Sequence, residues 1–276
     1  MPETIEDPAE YLKRLGRAGE GPFDVAEAAL MLSALDHPGL ALKSHRGHLV
    51  EIANAARAEM RIVAQVEDAA TALASVIAGR FGYDGDRLSY DNPLNADFID
   101  VIERRRGLPV ALGILYIHAA RAAELAAAGL NAPGHFLLQI AYRGREAILD
   151  PFNGGAVVDR ERVGAPPAMA ADIGEDARIG GPVSDAEVVL RLANNQKLRA
   201  IQAGNRGRAL EIAGRMLMIA PRRAELWIEL ARMDEAVGGL VAAKKAYEAA
   251  LTLVKPGDAL HNEAVLGLQG LKRRLN

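Results

Sequence analysis

His135 and Asp150 are the residue types of a proton-relay pair: an imidazole that takes a proton from a nucleophile and a carboxylate that orients it. His135 opens the apolar run Phe136-Leu137-Leu138-Gln139-Ile140-Ala141. Asp150 closes the next run, Glu146-Ala147-Ile148-Leu149, ahead of Pro151-Phe152-Asn153-Gly154. A relay of this kind serves a thiol at a helix N-terminus, where the helix dipole favours thiolate. The chain offers an apolar helix opening at Gly107-Leu108-Pro109-Val110-Ala111-Leu112, but its 276 residues include no cysteine, and the helix entrance holds Pro109. Between Tyr90 and Val183 there is also no serine or threonine, so the hydroxyls on hand are those of Tyr90, Tyr116 and Tyr142, with Ser89 just outside. Covalent acyl transfer therefore lacks a credible nucleophile in the core. A His-Asp pair can still act on water as a general base.

The elements that must position these residues are readable in outline. Asn92-Pro93 has the form of a helix start, a cap followed by proline at the first position, and predicts a helix running to Arg104-Arg105-Arg106 and stopping at Gly107. The arginines suit the negative end of that helix. A second helix is predicted from Pro109 to near Gly129. From Pro109 to Ala120 it carries no charge, only His118, so it belongs in a buried centre. Two short strands follow over 136–141 and 146–150, joined by a turn containing Gly144, and Ala156-Val157-Val158-Asp159 is a third candidate. A loop centred on Arg143 sets His135 nearly opposite Pro151. Whether His135 and Asp150 then share a face depends on the register, because a one-residue slip inverts it, and a bulge at Gly144 would supply such a slip.

Residues 1–88 read as a helical region, with apolar positions at helical spacing broken at Gly19-Glu20-Gly21-Pro22, His37-Pro38-Gly39 and Phe81-Gly82-Tyr83. Residues 89–165 form the core that carries the motifs. Residues 166–186, within a stretch rich in glycine, proline and alanine from 161 onward, read as a linker. Residues 187–276 form a helical tail with an internal repeat. Gly204, Ala209, Ala213, Met216 and Pro221 align with Gly238, Ala243, Tyr247, Ala250 and Lys255 at a constant offset of 34 residues. That period, with Trp227-x-x-Leu230-Ala231 opening the second copy, reads as tetratricopeptide-type helical hairpins closed by a terminal helix over 259–275. Two repeats are fewer than a free-standing array needs, so the tail is expected to pack on the preceding domain.

Composition narrows the function classes. Half of the residues are hydrophobic and the net charge is −3, which gives no electrostatic footprint for nucleic acid. No long apolar run predicts a membrane span, and the acidic start Met-Pro-Glu-Thr-Ile-Glu-Asp is unlike a secretory signal, so a cytoplasmic protein is expected. The absence of cysteine excludes disulfides and zinc–thiolate sites.

The order helix, His-strand, Asp-strand resembles the transglutaminase-like core. Arg121-Ala122-Ala123-Glu124-Leu125 resembles the end of that family's nucleophile helix, and Asp150-Pro151-Phe152-Asn153-Gly154 resembles its Asp-Pro-x-Asn strand end. Counted back from Arg121, the nucleophile slot falls on Pro109. A closer resemblance, across essentially the whole chain, is to the SirB-type bacterial group. It rests on Tyr90-Asp91-Asn92-Pro93-x-Asn95, Glu103-Arg104-Arg105-x-Gly107-Leu108-Pro109-Val110-x-Leu112, Pro133-Gly134-His135-Phe136-Leu137 and Asp150-Pro151-Phe152-Asn153-Gly154. The resemblance implies an α+β, mostly helical protein: a papain/transglutaminase-like core with a small antiparallel sheet, then the helical tail. The role it implies is regulatory or uncharacterised. Members of that group often carry serine two residues after this proline, and here Ala111 stands there.

Simpler readings compete at several positions. His135 is either the site residue or a polar residue closing a turn after Pro133-Gly134, and Asp150 either orients it or caps a strand end; inside this motif we read both as a site. His118 reads as a satisfied core histidine. His45 and His48 stand at metal-site spacing, but only Glu51 is near, so no metal is expected. Asp84-Gly85-Asp86 with Asp91 lacks the calcium-loop order and reads as a solvated turn. Arg104–Arg106 suit a helix end, Lys272-Arg273-Arg274 a solvated one, and Trp227 and Tyr247 fit repeat packing. The expectation is a non-catalytic, cofactor-free protein that binds a protein or peptide in a groove between helix 109–128 and strand 136–141. Its polar contacts would be His135, Asp150 and Asn153, over an apolar floor of Pro109 and Tyr116. The alternative is a cysteine-independent hydrolase using His135 and Asp150. Oligomeric state is not readable.

Overall fold

The computed structural model describes residues 7–132, 135–158 and 180–275. Pro133-Gly134, Asp159 and residues 161–179 of the linker stretch lie outside the described residues. The protein is mostly helical with a small antiparallel sheet. By contacts it divides differently from the four stretches expected above. One unit lies within Gly21–Leu192, and the other joins Met1–Glu20 to Ala193–Asn276.

Helix α1 (Pro8–Ala18) starts on an Asp7 cap with proline in its first turn, and belongs to the second unit. The first unit begins with α2 (Val25–Ala34), capped by Asp24, then α3 (Lys43–Met60) and α4 (Val66–Ala74). After a π-helical turn over Ser75–Arg80 comes β1 (Asp84–Gly85). The helix predicted from Asn92 to Arg106 is interrupted. Pro93–Ala96 form a 3-10 turn, and Asp97 then accepts the N–H groups of Ile99 and Asp100 to cap a new helix, α5 (Phe98–Arg104). An aspartate that can bond the backbone ahead of it starts a helix rather than continuing one. β2 (Arg106–Gly107) pairs in parallel with β1.

Helix α6 (Pro109–Ala122) is the buried centre of this unit; Pro109 to Ile117, Ala119 and Ala120 are all buried. It ends at Ala122, not near Gly129. Glu124 takes φ +63°, the N–H of Leu125 returns to the Ala120 carbonyl, and the chain reverses into a strand absent from the sequence reading, β3 (Ala126–Ala132). Helix propensity favours alanine, but packing overrides it here. Gly129 admits the Phe136 ring: a Cβ there would stand 2.7 Å from Phe136 Cζ, and one on Gly113 of α6 would stand 2.3 Å from Phe136 Cε1. The ring is wedged between two glycines, one on the helix and one on the strand.

β4 (His135–Tyr142), β5 (Arg145–Asp150) and β6 (Ala156–Val158) complete an antiparallel sheet of order β3-β4-β5-β6. The turn between β4 and β5 is Arg143-Gly144, both at positive φ (+50° and +80°), so Tyr142 pairs with Arg145. The expected loop centred on Arg143 is therefore one residue out of register, and a tight two-residue turn, not a bulge, makes the difference. The last residues of the stretch expected to be linker are not free of the fold: Val183 donates to the Gly129 carbonyl beside β3, and Asp185 already begins the next helix.

α7 (Asp185–Gln202) has its first residues in this unit and the remainder in the other. The second unit continues with α8 (Arg206–Ile219), α9 (Ala224–Ala236), α10 (Leu240–Leu251) and α11 (Ala259–Leu275). The two aligned sequence copies behave alike. Gly204 and Gly238 sit at φ +71° and +82°, turning the chain into α8 and α10. Ala209 and Ala243 are both fully buried, and Ala213 and Tyr247 are each 3% exposed. α1 packs on α8 so closely that a Cβ on Gly16 would meet the Met218 carbonyl oxygen at 2.2 Å.

Candidate functional site

His135 and Asp150 come together. The observed register, continued one step, sets Asp150 across from Leu137, two residues from His135, so both side chains leave the same face of the sheet. His135 Nε2 lies 3.0 Å from Asp150 Oδ2. Asn153 Nδ2 donates to the same oxygen at 2.5 Å, while Oδ1 accepts the backbone N–H groups of Phe152 and Asn153 at 3.0 and 3.2 Å. The carboxylate thus caps the short 3-10 turn Pro151–Asn153 and holds the imidazole at once. Burial acts to raise the Asp150 pKa, but hydrogen bonds and charge from His135, with the Asn153 bonds, outweigh it and hold the carboxyl below its ordinary value. Because Oδ2 accepts, Nε2 carries the hydrogen. The lone pair of the neutral ring is therefore on Nδ1, on a side chain that is 21% exposed.

Arg87, which the sequence reading did not single out, braces this arrangement. It donates to Asn153 Oδ1 at 2.7 Å and to the Phe152 carbonyl at 3.0 Å, pairs with Asp84 at 3.2 Å, and lies over the Phe152 ring. Gly85 lets Phe152 approach, since a Cβ there would stand 2.6 Å from the ring. Asp84-Gly85-Asp86 is therefore more than a solvated turn. Asp84 and Gly85 form β1, and Asp86 is buried, bonded to the Ser89 hydroxyl at 2.7 Å and paired with Arg104 at 3.2 Å. The Ser89 hydrogen bonds above all bring the Asp86 pKa down to about 2. The only sequence signal for Arg87 was an arginine one residue past an acidic turn, a pattern too common to carry weight.

Pro109 and Tyr116 are placed otherwise than expected. Both are buried, with Tyr116 1% exposed, so neither forms the floor of an open groove. The reason lies in α6 itself, which is buried without a break from Pro109 to Ile117. Gly155 closes over the phenol: a Cβ there would stand 2.5 Å from the Tyr116 hydroxyl. Burial first, then the charges of Asp150 and Asp84, push the Tyr116 hydroxyl well above the ordinary phenol range, and it has no hydrogen-bond partner among the described residues. Asn153, bonded to Asp150, and Arg87, bonded to Asn153, are exposed, and the exposed ring of Tyr90 meets Phe152 edge-on at 5.7 Å.

Three other histidines have other occupations. His118 donates from Nε2 to the Leu49 carbonyl at 3.0 Å. His45 bonds Glu103 at 3.1 Å. His48 Nε2 is bonded by Tyr83 and Arg105, which leaves it no lone pair for a metal; burial, then Arg105, lowers its pKa. A group not anticipated, His37 with Asp97 and Asp100, brings ligand atoms within 4.8 Å of one another. Asp97 there already caps α5, and a helix N-terminus repels cations. In the tail, Trp227 donates to the Pro221 carbonyl and Tyr247 to Glu235.

Residues 43–194 match the profile of the transglutaminase-like superfamily, more than half of the chain, and the protein belongs to that family. It is 31% identical over 153 residues to a UPF0162 protein of Xylella fastidiosa (strain 9a5c), covering 53% of this chain and 54% of that one. A UPF0162 protein of Vibrio cholerae is 31% identical over 138 residues, 49% of this chain and 50% of the relative. Human F-box only protein 21 is 31% identical over 117 residues, 42% of this chain and 17% of that protein. The chain thus spans about half the length of the UPF0162 relatives it matches. Among the described residues no helix is long and apolar enough to cross a membrane.

Proposed function

We propose that this is a non-catalytic, cytoplasmic member of the transglutaminase-like family that acts by binding a protein or peptide in a regulatory or scaffolding role. The observation that carries this reading is a hydrogen-bonded His135–Asp150–Asn153 frame in a chain with no cysteine and with Pro109 at the helix entrance. A frame that orients an imidazole without a nucleophile can still hydrogen-bond an amide: Nδ1 accepts an N–H, and the Asn153 side chain supplies polar contacts at the rim. Exposed Tyr90 and Leu88, 42% and 102% exposed, add apolar surface along the loop beside Arg87. The tail, read as tetratricopeptide-type hairpins, would offer a second surface for a partner helix. The finer placement in the SirB-type group rests on the motifs quoted above.

One observation favours a second reading, slow hydrolysis by activated water: the Nδ1 lone pair stands on a partly exposed ring whose other nitrogen is held by a carboxylate. A single experiment separates the two. Glutamine- and asparagine-containing peptides are titrated by fluorescence anisotropy while ammonia and amine release are followed. Saturable binding that His135→Ala abolishes, with no turnover, supports the binding role. Turnover that His135→Asn abolishes establishes the hydrolase instead. Binding unchanged after substituting His135, Asp150 and Asn153 together removes the site from both readings.

A further inference from the structure

Helix α6 has a second face. Tyr116 lies under Gly155, in the turn that follows Asp150, whereas His118, two residues on, turns the other way, toward Leu49. On that side a cavity of about 720 Å³ opens between the N-terminus of α2, α3, the end of α6 and the start of β3. Its volume falls inside the range of about 300–1,000 Å³ typical of small-molecule sites. Val25, Val50, Ala53 and Ala127 give it an apolar lining, and four polar side chains reach it: Asp24, Arg57, His118 and Arg121.

Three of these four are committed. Arg121 grips both oxygens of Asp185 at 2.7 and 2.8 Å and donates to the Ala127 carbonyl. Asp24 Oδ1 accepts the N–H groups of Ala26 and Glu27 at 3.0 and 3.1 Å and lies 3.9 Å from His118 Nδ1. His118 donates to Leu49. Arg57 differs. It donates only to uncharged oxygens, the Ala122 carbonyl at 2.9 Å and Asn54 Oδ1 at 3.0 Å, and among the described residues no carboxylate pairs with it. The Asp24 carboxylate in the lining is met by two backbone N–H groups and faces His118, so the Arg57 guanidinium at the edge is the charge left to take an apolar anion, and a planar carboxylate is the anion that guanidinium geometry fits.

We propose that this cavity binds a small amphipathic carboxylate, with the carboxylate on Arg57 and a medium-length acyl chain along Val50, Ala53 and Ala127. The proposal stands apart from the His135–Asp150 reading.

The test is an amide-resolved NMR titration of the full chain with octanoate and, in parallel, 1-octanol. Octanoate is expected to saturate and to shift the amides of Ala53, Arg57 and Ala127. Arg57→Gln is expected to weaken octanoate about threefold to fivefold, the upper part of the range for a solvent-exposed ion pair, and to leave octanol unchanged. Ala126→Phe, at an exposed position lining the cavity, is expected to weaken both ligands. Equal octanoate affinity in wild type and Arg57→Gln overturns the carboxylate assignment. Failure of octanoate to saturate, or shifts confined to other surfaces, overturns the site.

Discussion

Asp150 and Asp86 are both held below the ordinary aspartate value. A depressed folded-state pKa contributes stability that is present above the unfolded value of about 3.9 and is lost as pH falls through the folded value. Asp86, at about 2, sets the lower end of that window. Denaturant melts between pH 5 and pH 2 should therefore show a steep acid limb, and Asp150→Asn and Asp86→Asn should each flatten it. An unchanged limb in both variants would contradict the geometry. At pH 7 the two members of the pair should differ. Asp150→Ala strips a cap and leaves donors unpaired, costing about 1–3 kcal/mol, whereas His135→Ala leaves the carboxylate bound to Asn153 and two backbone groups and costs under about 1 kcal/mol. The types and order of these residues were readable from sequence; Arg87 was not, because its role exists only once Phe152 and Asn153 have folded back on β1.

The β4–β5 turn decides whether the pair exists at all. A loop centred on Arg143 would have sent His135 and Asp150 to opposite faces, and Arg143-Gly144 as a two-residue turn brings them to one face. Sequence shows the glycine but not which residue opposite it completes the turn. Arg143, at φ +50°, is a non-glycine residue in a left-handed conformation. Arg143→Asn should raise stability by up to about 1 kcal/mol in urea melts, since asparagine tolerates this region and Asn-Gly is the preferred pair; destabilisation would mean that its bond to the Ala64 carbonyl matters more than the backbone. β3 was missed for a related reason. Ala126-Ala127-Ala128 has no strand propensity, and the deciding fact, the Phe136 ring between Gly113 and Gly129, joins residues distant in sequence. Gly113→Ala should cost about 1–3 kcal/mol by overpacking, and the loss should shrink when combined with Phe136→Leu.

The helical character of the tail, by contrast, was readable in advance, and its aligned positions are placed alike: glycine at the turn, a buried alanine after it. What sequence did not show was that residues 8–18 belong with it. That contact depends on Gly16 against the Met218 carbonyl, and a lone glycine inside a helix carries no address. Contacts sort the chain into two units, so Gly16→Ala and Gly113→Ala should act separately. In hydrogen exchange the first should lower protection in α8 and leave β4 untouched, the second the reverse, and their stability costs should add within about 0.5 kcal/mol. Strong non-additivity would show that the units fold as one.

The divided labour of the Asp150 carboxylate also changes what kinship among these proteins can reveal. One oxygen closes a turn that the fold needs, so selection for folding alone would keep aspartate here in lineages that bind nothing. Among the described residues His135 has no such second employment. In a broad family alignment, therefore, persistence of Asp150 would measure architecture, and only persistence of His135 would measure use.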